Sequence, residues 1–567
     1  MYFKPFSSIV LKKFYIEDLD QDTLLYVDDF SARLDFRSIR DLKIIMNKAE
    51  LTSGKFSLKK YKDSTTNLTF IQNYFKSSGE KSAERKGIDF TFPDLAFENM
   101  DLKYRDYSAG EVDYGINYED IHLSSFSGTL KEIDFKNYIF KADVQNLAFK
   151  EKSGLVVKDL TAHAIINPNE MEFTGLNLEL NNSHINDYVR FDYDSFNDFK
   201  NFISKVRVTG DLRNSRITSE DIAYFAPQVL VTKFDVYITG KLSGTVDDIT
   251  GNDIEIRTGK ETWLSGEFKI KGLPEIEQTL FDMDLTRLRS TRKDLEVLIT
   301  ELGRQENFQL PVIFDRFGKI DYHGRVTGFY NNFIAQGIFD TQLGDLIADI
   351  NLDIRNQGKY SGEVFSPGFD IGQLLQFPDI GLASFRANIV GEGFSAENLK
   401  EELTGKLAFV DYNGYRYRDI QIDGEYKNEQ FVGDIAINDE NIAVDFNGRL
   451  DLKPELFRYD FIADVERINL RELNLYEDSL SLSGYFDADF IGNGLSTIDG
   501  KFLVKDLVIS RPQDSTFVDS ILVYTQMEDQ NRVLAIESGI ADAKINGEFD
   551  IKTLPSYFKS LTKKYIP

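Results

Sequence analysis

Hydrophobic and polar residues alternate along much of this chain, and the alternation is clearest between Gly414 and Leu452. Successive side chains of a β-strand point to opposite faces, so a period of two predicts strands with one apolar face and one hydrated face. Short polar segments at 427–429 and 438–440 interrupt the pattern and are typical of tight turns. The segment therefore predicts three consecutive strands, at 415–426, 431–437 and 442–452.

A five-residue phrase with a central glycine between two apolar positions recurs along the chain. Copies begin at residues 126, 208, 238, 264, 322, 403, 482, 498 and 545. Glycine weakens a strand, so its repeated use indicates bulges, sharp bends or a close approach to the backbone. In every copy the glycine takes a position in the apolar register. We therefore expect a long, bent sheet whose apolar face has gaps where large side chains are missing.

Helical signals are few and short. They lie at 218–225, 292–302, 369–375, 396–403, 470–475 and 555–565. The irregular spacing of the glycine phrase favours an antiparallel meander over a parallel β-helix, which would repeat with a tighter period. We predict a mainly β fold, an elongated, bent antiparallel-type sheet that forms a taco-like groove with an apolar interior and a few short helices.

The chain divides into four regions. Residues 77–87 are charged and rich in small side chains, and they predict a loop between a first β segment at 1–76 and a second at 88–205. Residues 206–567 continue the predicted groove with short helical insertions.

Charge and composition narrow the range of partners. The net charge of −27 argues against nucleic acid as a partner and against adhesion of the whole chain to an anionic membrane surface. The chain has no cysteine, which excludes disulfides, thiolate metal sites and cysteine nucleophiles. No run reaches the roughly 18–20 apolar residues of a membrane helix. Residues 1–14 also lack the features of a signal peptide, so we expect any export signal outside these 567 residues.

Two short motifs suggest ligands but have simpler explanations. Residues 391–396 match a relaxed dinucleotide fingerprint, yet Glu392 would set a negative charge beside the phosphates, so we interpret them as a bent strand end. Asp18, Asp20 and Asp22 are spaced like the first ligands of a calcium loop. Thr23 stands where that loop requires glycine, so a solvated turn is the preferred interpretation.

No enzyme signature stands out in the sequence. His122, His163, His184 and His323 are scattered without the spacing of a metal site, and we expect structural roles for them. A nucleophile elbow and a Ser–His–Asp arrangement are both absent from the sequence pattern. We therefore predict a protein that is not an enzyme and that uses neither a cofactor nor a metal.

The apolar stripe itself is the remaining candidate site. The candidate groove residues are Phe234, Val236, Ile238, Leu242, Leu346, Ile350, Leu352, Ile354, Ile420, Ile422, Ile435, Ile437, Val444, Phe446 and Leu450. One interpretation is that these faces pack on each other as an ordinary β-sandwich core. The other is a groove open to apolar guests, which the scarcity of covering helices and the glycines in the apolar register favour.

Several stretches, in their order along the chain, carry a family resemblance. They are 23–27 leading into 30–36, 208–227, 238–246, 324–328, and 413–417 leading to Gly424 and Gly433. With these stretches the chain resembles the TamB translocation and assembly module and the wider AsmA-like family of Gram-negative bacteria. The resemblance covers most of the chain, including an AsmA-like first segment at 1–76.

The resemblance implies a periplasmic protein, anchored in the inner membrane by an N-terminal helix, whose C-terminal domain meets an outer-membrane assembly barrel. Neither part is recognised here, so we expect an internal fragment or a truncated product. The implied function is non-enzymatic, bridge-like transport of phospholipid in an apolar β-groove between the inner and outer membranes. Its partners would be phospholipid acyl chains and, through a region absent here, the barrel. The alternative is a scaffold for outer-membrane protein translocation and assembly. A third hypothesis is a carbohydrate-active β-solenoid enzyme, which would require a cleft with paired carboxylates at catalytic separation.

Overall fold

The computed structural model contains two compact units, Met1–Phe308 and Gln309–Pro567. It describes residues 2–4, 8–34, 44–71, 90–91, 94–108, 110, 112–231, 233–303, 309–355, 358–393, 399–451, 457–491, 499–528 and 531–547. The fold is mainly β, with 68% of residues in strands and 10% in helices, which confirms the predicted fold class. The predicted loop at 77–87 lies outside the described residues. The other predicted region boundaries stay predictions.

The described residues of the first unit contain seventeen strands. They are β1 Tyr2–Lys4, β2 Ser8–Glu17, β3 Thr23–Leu34, β4 Ile44–Lys60, β5 Phe90–Thr91, β6 Leu95–Asp106, β7 Asp120–Lys136, β8 Ile139–Glu151, β9 Val156–Val157, β10 Asp159–Asn167, β11 Glu170–Glu179, β12 His184–Asp192, β13 Arg207–Thr218, β14 Asp235–Thr245, β15 Asp248–Thr258, β16 Thr262–Lys271 and β17 Leu280–Thr291.

Parallel pairing occurs at one place in the first unit, beside β4. Strand β4 pairs with β6 in parallel from Ala49 opposite Leu95 to Lys60 opposite Asp106, and β5 continues the same register with Ile44 opposite Phe90. A parallel pair requires a crossover connection, which here includes the predicted charged loop. The other described pairings of this unit are antiparallel, as predicted, and β10 to β17 form a continuous meander.

The second unit is an antiparallel meander in which each described strand pairs with its neighbours in sequence. Its strands are β18 Lys319–Phe329, β19 Asn332–Thr341, β20 Gly344–Asp353, β21 Lys359–Asp370, β22 Ile380–Glu392, β23 Lys400–Tyr412, β24 Tyr415–Lys427, β25 Gln430–Asn438, β26 Ile442–Asp451, β27 Arg458–Asn469, β28 Ser481–Ile491, β29 Asp499–Ser510, β30 Ser515–Glu528, β31 Asn531–Ser538 and β32 Ala543–Asn546. The three strands predicted between 415 and 452 are confirmed as β24, β25 and β26.

Tight turns set the register of this meander. Asn428 and Glu429, between β24 and β25, have φ values of 52° and 60°. Two central residues with positive φ form the turn whose twist matches that of an antiparallel hairpin. Asn413 and Gly414, with φ values of 49° and 76°, repeat the arrangement between β23 and β24. The polar breaks recognised in the sequence therefore act as hairpin turns.

The helices of the described residues are short. They are α1 Phe202–Lys205, α2 Ser219–Ile222, α3 Arg292–Gly303 and α4 Ile371–Leu375, with 3₁₀ turns at Phe196–Asn201, Pro227–Val231, Ile276–Gln278 and Val312–Phe317. Predicted helices at 218–225, 292–302 and 369–375 are confirmed in α2, α3 and α4. The prediction at 396–403 is wrong from residue 400 onward, because the alternation of β23 begins there. The prediction at 470–475 is also wrong, since the chain forms turns. The last, at 555–565, lies outside the described residues.

A line of β-bulges bends the sheet of the first unit. Six successive strands, β11 to β16, each place one residue with positive φ beside a shift in pairing register: Gly175, Asp187, Asn214, Gly240, Asp253 and Gly266. A bulge inserts one extra residue, which bends the strand and increases its twist. The Asn214 N–H, for example, donates to Thr239 Oγ1 of the next strand at 3.0 Å. We call this line of six residues the crease.

Candidate apolar binding face

The strand register of the second unit stacks inward-facing residues into four transverse rows. The first row is Val326, Ala335, Ile350, Gly362, Ile389, Leu403, Gly424, Gly433, Gly448, Phe461, Ala488, Phe502, Val523 and Ile536. The second row is Gly324, Gly337, Ala348, Val364, Ala387, Gly405, Ile422, Ile435, Phe446, Ala463, Phe486, Val504 and Ile521. Both rows are apolar at every position.

Two further rows flank these. The third row is Phe385, Leu407, Ile420, Ile437, Val444, Val465 and Gly484. The fourth row is Gly328, Phe333, Leu352, Tyr360, Gly391, Glu401, Tyr426, Phe431, Leu450, Tyr459, Phe490, Gly500, Thr525 and Leu534. We call the four rows together the apolar face.

The opposite side of the same strands is more polar, although it also carries exposed Ile334, Ile347 and Val390. The outward row between the first and second rows is Arg325, Gln336, Asp349, Glu363, Asn388, Thr404, Asp423, Asp434 and Asn447 across β18 to β26. A sheet with one continuous apolar side and one polar side must either bury the apolar side or leave it available to a ligand.

Burial distinguishes these two outcomes. The buried inward residues are five alanines and four larger side chains, namely Ala335, Ala348, Ala387, Ala463, Ala488, Ile420, Val465, Val504 and Leu534. Large inward side chains such as Ile350 and Phe446 remain partly exposed to solvent. In a closed sandwich core the large side chains would be the most completely buried. Part of this face, including Ile350 and Phe446, is therefore an accessible apolar surface.

The candidate groove residues occupy this face in different ways. Ile420, Ile422, Ile435, Ile437, Val444, Phe446 and Leu450 come together on β24 to β26, and Leu346, Ile350 and Leu352 line β20. Ile354 lies just beyond β20, where its N–H donates to the Asn331 carbonyl at 2.9 Å. In the first unit, Ile238 and Leu242 belong to one apolar cluster. Val236 lies on the same strand, β14, and pairs with Ile217 of β13. Phe234 precedes β14, and its N–H donates to the Ser219 hydroxyl.

The glycines of the apolar register are not gaps, which corrects the expectation from the sequence. A Cβ atom at Gly391 would lie 2.3 Å from the Tyr360 ring, and one at Gly424 would lie 2.7 Å from the Phe431 ring. These two glycines are thus covered by aromatic rings, whereas a Cβ atom at Gly362 or Gly433 would first meet the backbone of a neighbouring strand.

In the first unit a short segment crosses the apolar side. We call residues 114–119 the strap. At one side, the Ile116 N–H donates to the Tyr224 carbonyl at 2.9 Å, just after α2. At the other, the rings of Tyr118 and Phe199 lie 6.0 Å apart, just before α1. Since α1 precedes β13 and α2 follows it, the strap joins the segments at the two ends of that strand.

The strap packs on inward-facing side chains. Ile116 contacts an apolar cluster that includes Leu155 and Leu180. Phe199 packs against Phe191 of β12 with ring centroids 6.3 Å apart. The Tyr118 hydroxyl is buried without a hydrogen-bond partner among the described residues, and burial raises the pKa of this phenol to about 12. The apolar side of the first unit is therefore covered near β11 to β13.

A helix covers the same side further along. The Asp294 carboxylate of α3 accepts the Lys260 N–H at 3.0 Å and the Glu261 N–H at 2.6 Å, in the turn between β15 and β16. The helix also packs against β17 and the 3₁₀ turn Ile276–Gln278. That turn follows β16, so α3 contacts connections at both ends of β16.

The aspartates with calcium-loop spacing hold a lysine. The Lys59 ammonium lies 3.0 Å from Asp18 and 3.6 Å from Asp20, and it also contacts Asp22. Although burial alone would raise the pKa of the Asp18 carboxyl, hydrogen bonds from Asn67 and Lys59 hold it below its usual value. The described residues contain no cluster of three potential metal ligands. These aspartates form a partly buried ion-pair cluster.

Two of the histidines and the dinucleotide-like motif, the other candidates from the sequence, lie against side chains of the protein itself. His163 Nδ1 lies 2.6 Å from Asp143 Oδ1 on the neighbouring strand, and His184 Nε2 lies 2.9 Å from Asn177 Oδ1. Residues 391–392 of the dinucleotide-like motif end β22, and the Tyr360 ring occupies the space beside Gly391. Residues 394–396 lie outside the described residues.

None of the helices in the described ranges is long and apolar enough to cross a membrane. Comparison with protein-family models, curated proteins and solved structures found no match to this chain.

Proposed function

We propose that this chain is a non-enzymatic, bridge-like lipid transport protein of the periplasm, carrying phospholipid in an apolar β-groove between the inner and outer membranes. The observation that carries the proposal is the apolar face of the second unit, on which large side chains such as Ile350 and Phe446 are partly exposed. The resemblance to the TamB and AsmA-like family supports the same function. That resemblance also suggests an inner-membrane anchor and a contact with an outer-membrane barrel.

The energetics suit a carrier without specific contacts. Each methylene moved from water onto an apolar surface contributes about 0.8 kcal/mol. A long acyl chain would therefore prefer the apolar face to water wherever it lies along the rows. The headgroup would remain in water at the ends of the strands. Movement along the rows would require no reacting group, only a continuous apolar surface.

Native mass spectrometry of the purified chain, followed by organic extraction, tests the proposal. We expect phospholipid to co-purify and to be replaced by added fluorescent phospholipid after delipidation. Delipidated chain that stays folded, as judged by circular dichroism, and still takes up no lipid would overturn the proposal.

A second candidate, a scaffold for outer-membrane protein assembly, has one observation in its favour. Among the described residues, β32 pairs only with β31, so its other edge can accept a strand of a client protein. Photocrosslinkers at Ala543 and Lys544 would capture unfolded barrel strands under this proposal. Crosslinking no greater than from an outward position of β24, such as Gln421, would argue against it.

A further inference from the structure

The strap belongs to a connection that is longer than its two strands require. β6 ends at Asp106 and β7 begins at Asp120, and these strands are antiparallel neighbours, which a turn of about two to five residues could join. Residues 107–119 instead carry the strap to the segments beyond both ends of β13. Loops of this size that lack secondary structure of their own are commonly lids or binding loops.

On one side the strap is held at Tyr224. The Ile116 N–H donates to the Tyr224 carbonyl at 2.9 Å, and the Tyr114 ring stacks on the Tyr224 ring with centroids 6.0 Å apart. Gly115 lies between these two residues with a φ of +84°, and a Cβ atom there would be 2.6 Å from the same carbonyl oxygen. The close approach on this side therefore requires glycine.

On the other side the strap is held at the segment before α1. The rings of Tyr118 and Phe199 lie 6.0 Å apart, and the Glu119 carboxylate forms an ion pair with Lys200. Both charged groups are partly exposed, so solvent and salt screen their attraction. The Tyr118 hydroxyl is buried without a hydrogen-bond partner among the described residues, which costs free energy while the strap stays in place. Lifting the strap would remove that cost.

The side chains beneath the strap are part of a larger apolar surface. Ile116 packs against the cluster that contains Leu155 and Leu180. Leu160 and Leu178 pack against this cluster and also against the main apolar cluster of the first unit, which extends from β10 to β15. The strap therefore covers one end of a continuous apolar surface, and displacing the strap would expose it.

We propose that the strap is a lid on the apolar side of the first unit, closed in this structure, which opens to admit an acyl chain of a phospholipid in place of Ile116 and Tyr118. The inference rests on the proposed lipid function and adds its regulation. Because the surface beneath is apolar, the acyl chain regains the burial that the strap loses, and the Tyr118 hydroxyl is released to water.

Two substitutions should move this lid in opposite directions. Gly115→Ala places a Cβ atom against the Tyr224 carbonyl oxygen and should favour the open lid. Tyr118→Phe removes the buried hydroxyl and should favour the closed lid. Gly110→Ala, in the same connection, is the matched control, because a Cβ atom there meets nothing within 4 Å.

The chain has no cysteine, so a single introduced thiol reports opening through its rate of labelling by a maleimide. Leu155→Cys places the thiol beneath the strap, and Val27→Cys places it in the buried part of β3. At position 155, Gly115→Ala should raise the labelling rate about ten-fold and Tyr118→Phe should lower it about five-fold. Gly110→Ala should leave it unchanged. At position 27 the rate should stay equally slow in every variant, which separates opening of the lid from unfolding.

Access of lipid is measured with a phosphatidylethanolamine that carries a photoreactive diazirine on its acyl chain, and crosslinked peptides are located by mass spectrometry. Crosslinks to residues 155–180 should increase with Gly115→Ala and decrease with Tyr118→Phe, in parallel with the labelling rates. Labelling at position 155 that responds to neither substitution, or that rises only together with labelling at position 27, would overturn the lid.

The lipid experiment also separates this inference from the proposed function. Labelling rates that change while crosslinks to residues 155–180 do not would overturn the admission of an acyl chain. Crosslinks on the apolar face of the second unit would then leave the proposed function in place. Absence of crosslinks from both units would refute the proposed function and this inference with it.

Discussion

Replacing Ile350 by aspartate places a carboxylate in the first row of the apolar face. Ile350 is partly exposed and lies opposite two small residues, Ala335 and Gly362. Complete burial of an isoleucine contributes about 1.5–3 kcal/mol, so losing this partial burial should lower the free energy of unfolding by about 1–2 kcal/mol. In a closed core, an unpaired carboxylate would cost about 3–5 kcal/mol or more.

The same substitution should also weaken lipid binding. If the charge removes about three methylenes from the face, the loss is about 2 kcal/mol, roughly thirty-fold in Kd. Asn351→Asp is the matched control, because Asn351 is the next residue and points to the polar side. Urea unfolding and titration with fluorescent phospholipid measure the two effects. Loss of the fold in Ile350→Asp, or unchanged lipid affinity, would refute the reasoning.

Three further predictions concern the first unit. Asp18→Asn should lower the free energy of unfolding at pH 7 by about 3 kcal/mol, because it breaks a buried ion pair. Since the folded-state pKa of Asp18 is lowered, this difference should shrink as pH falls below about 4, and urea unfolding at pH 7 and pH 3 measures it. Gly240→Ala should lower the free energy of unfolding by about 1–3 kcal/mol, because φ at Gly240 is +128° and the new Cβ would lie 2.5 Å from a backbone oxygen. Gly210→Ala is the control and should be nearly neutral, because the nearest contact of its new Cβ is 3.5 Å away. Equal melting shifts of the two variants would contradict this prediction. Tyr118→Phe should raise the free energy of unfolding by about 1 kcal/mol, because it removes a buried hydroxyl without a described hydrogen-bond partner. Tyr188→Phe is the control and should not stabilise the fold, because it loses a 2.9 Å hydrogen bond to Glu172. A lower melting temperature for Tyr118→Phe would contradict this prediction.

The sequence allowed the strands to be predicted where alternation was regular. The three strands from Tyr415 to Asp451 needed only a period of two and polar turns, both of which are local. The error at 400–403 has the same origin, because Lys400, Glu401 and Glu402 have high helix propensity while their neighbours on β22 and β24 select a strand. Local propensity does not include that pairing.

Features that depend on distant contacts could not be predicted from the sequence. The parallel pairing of β4 with β6 joins residues 46 positions apart, such as Ala49 and Leu95, and no local pattern encodes it. The glycines were recognised, but the rings that cover them, such as Tyr360 over Gly391, come from other strands. The turn with Asp20 and Asp22 is exposed as predicted, but the burial of Asp18 against Lys59 was missed because that lysine lies far along the chain. A polar Asn within an otherwise alternating strand, as at Asn214, is a signal that could have located the crease.

The meander of the second unit has a consequence for how this part of the chain reaches its native state. Because the described strands from β19 to β31 each pair with the strands just before and just after them, nearly all backbone partners are close in sequence. Low contact order speeds folding, and units that contact only their neighbours can add to an existing edge one hairpin at a time. We therefore expect this unit to assemble progressively as the chain emerges from a ribosome or an export channel. Each new hairpin would find its template already in place, and the apolar rows would lengthen strand by strand.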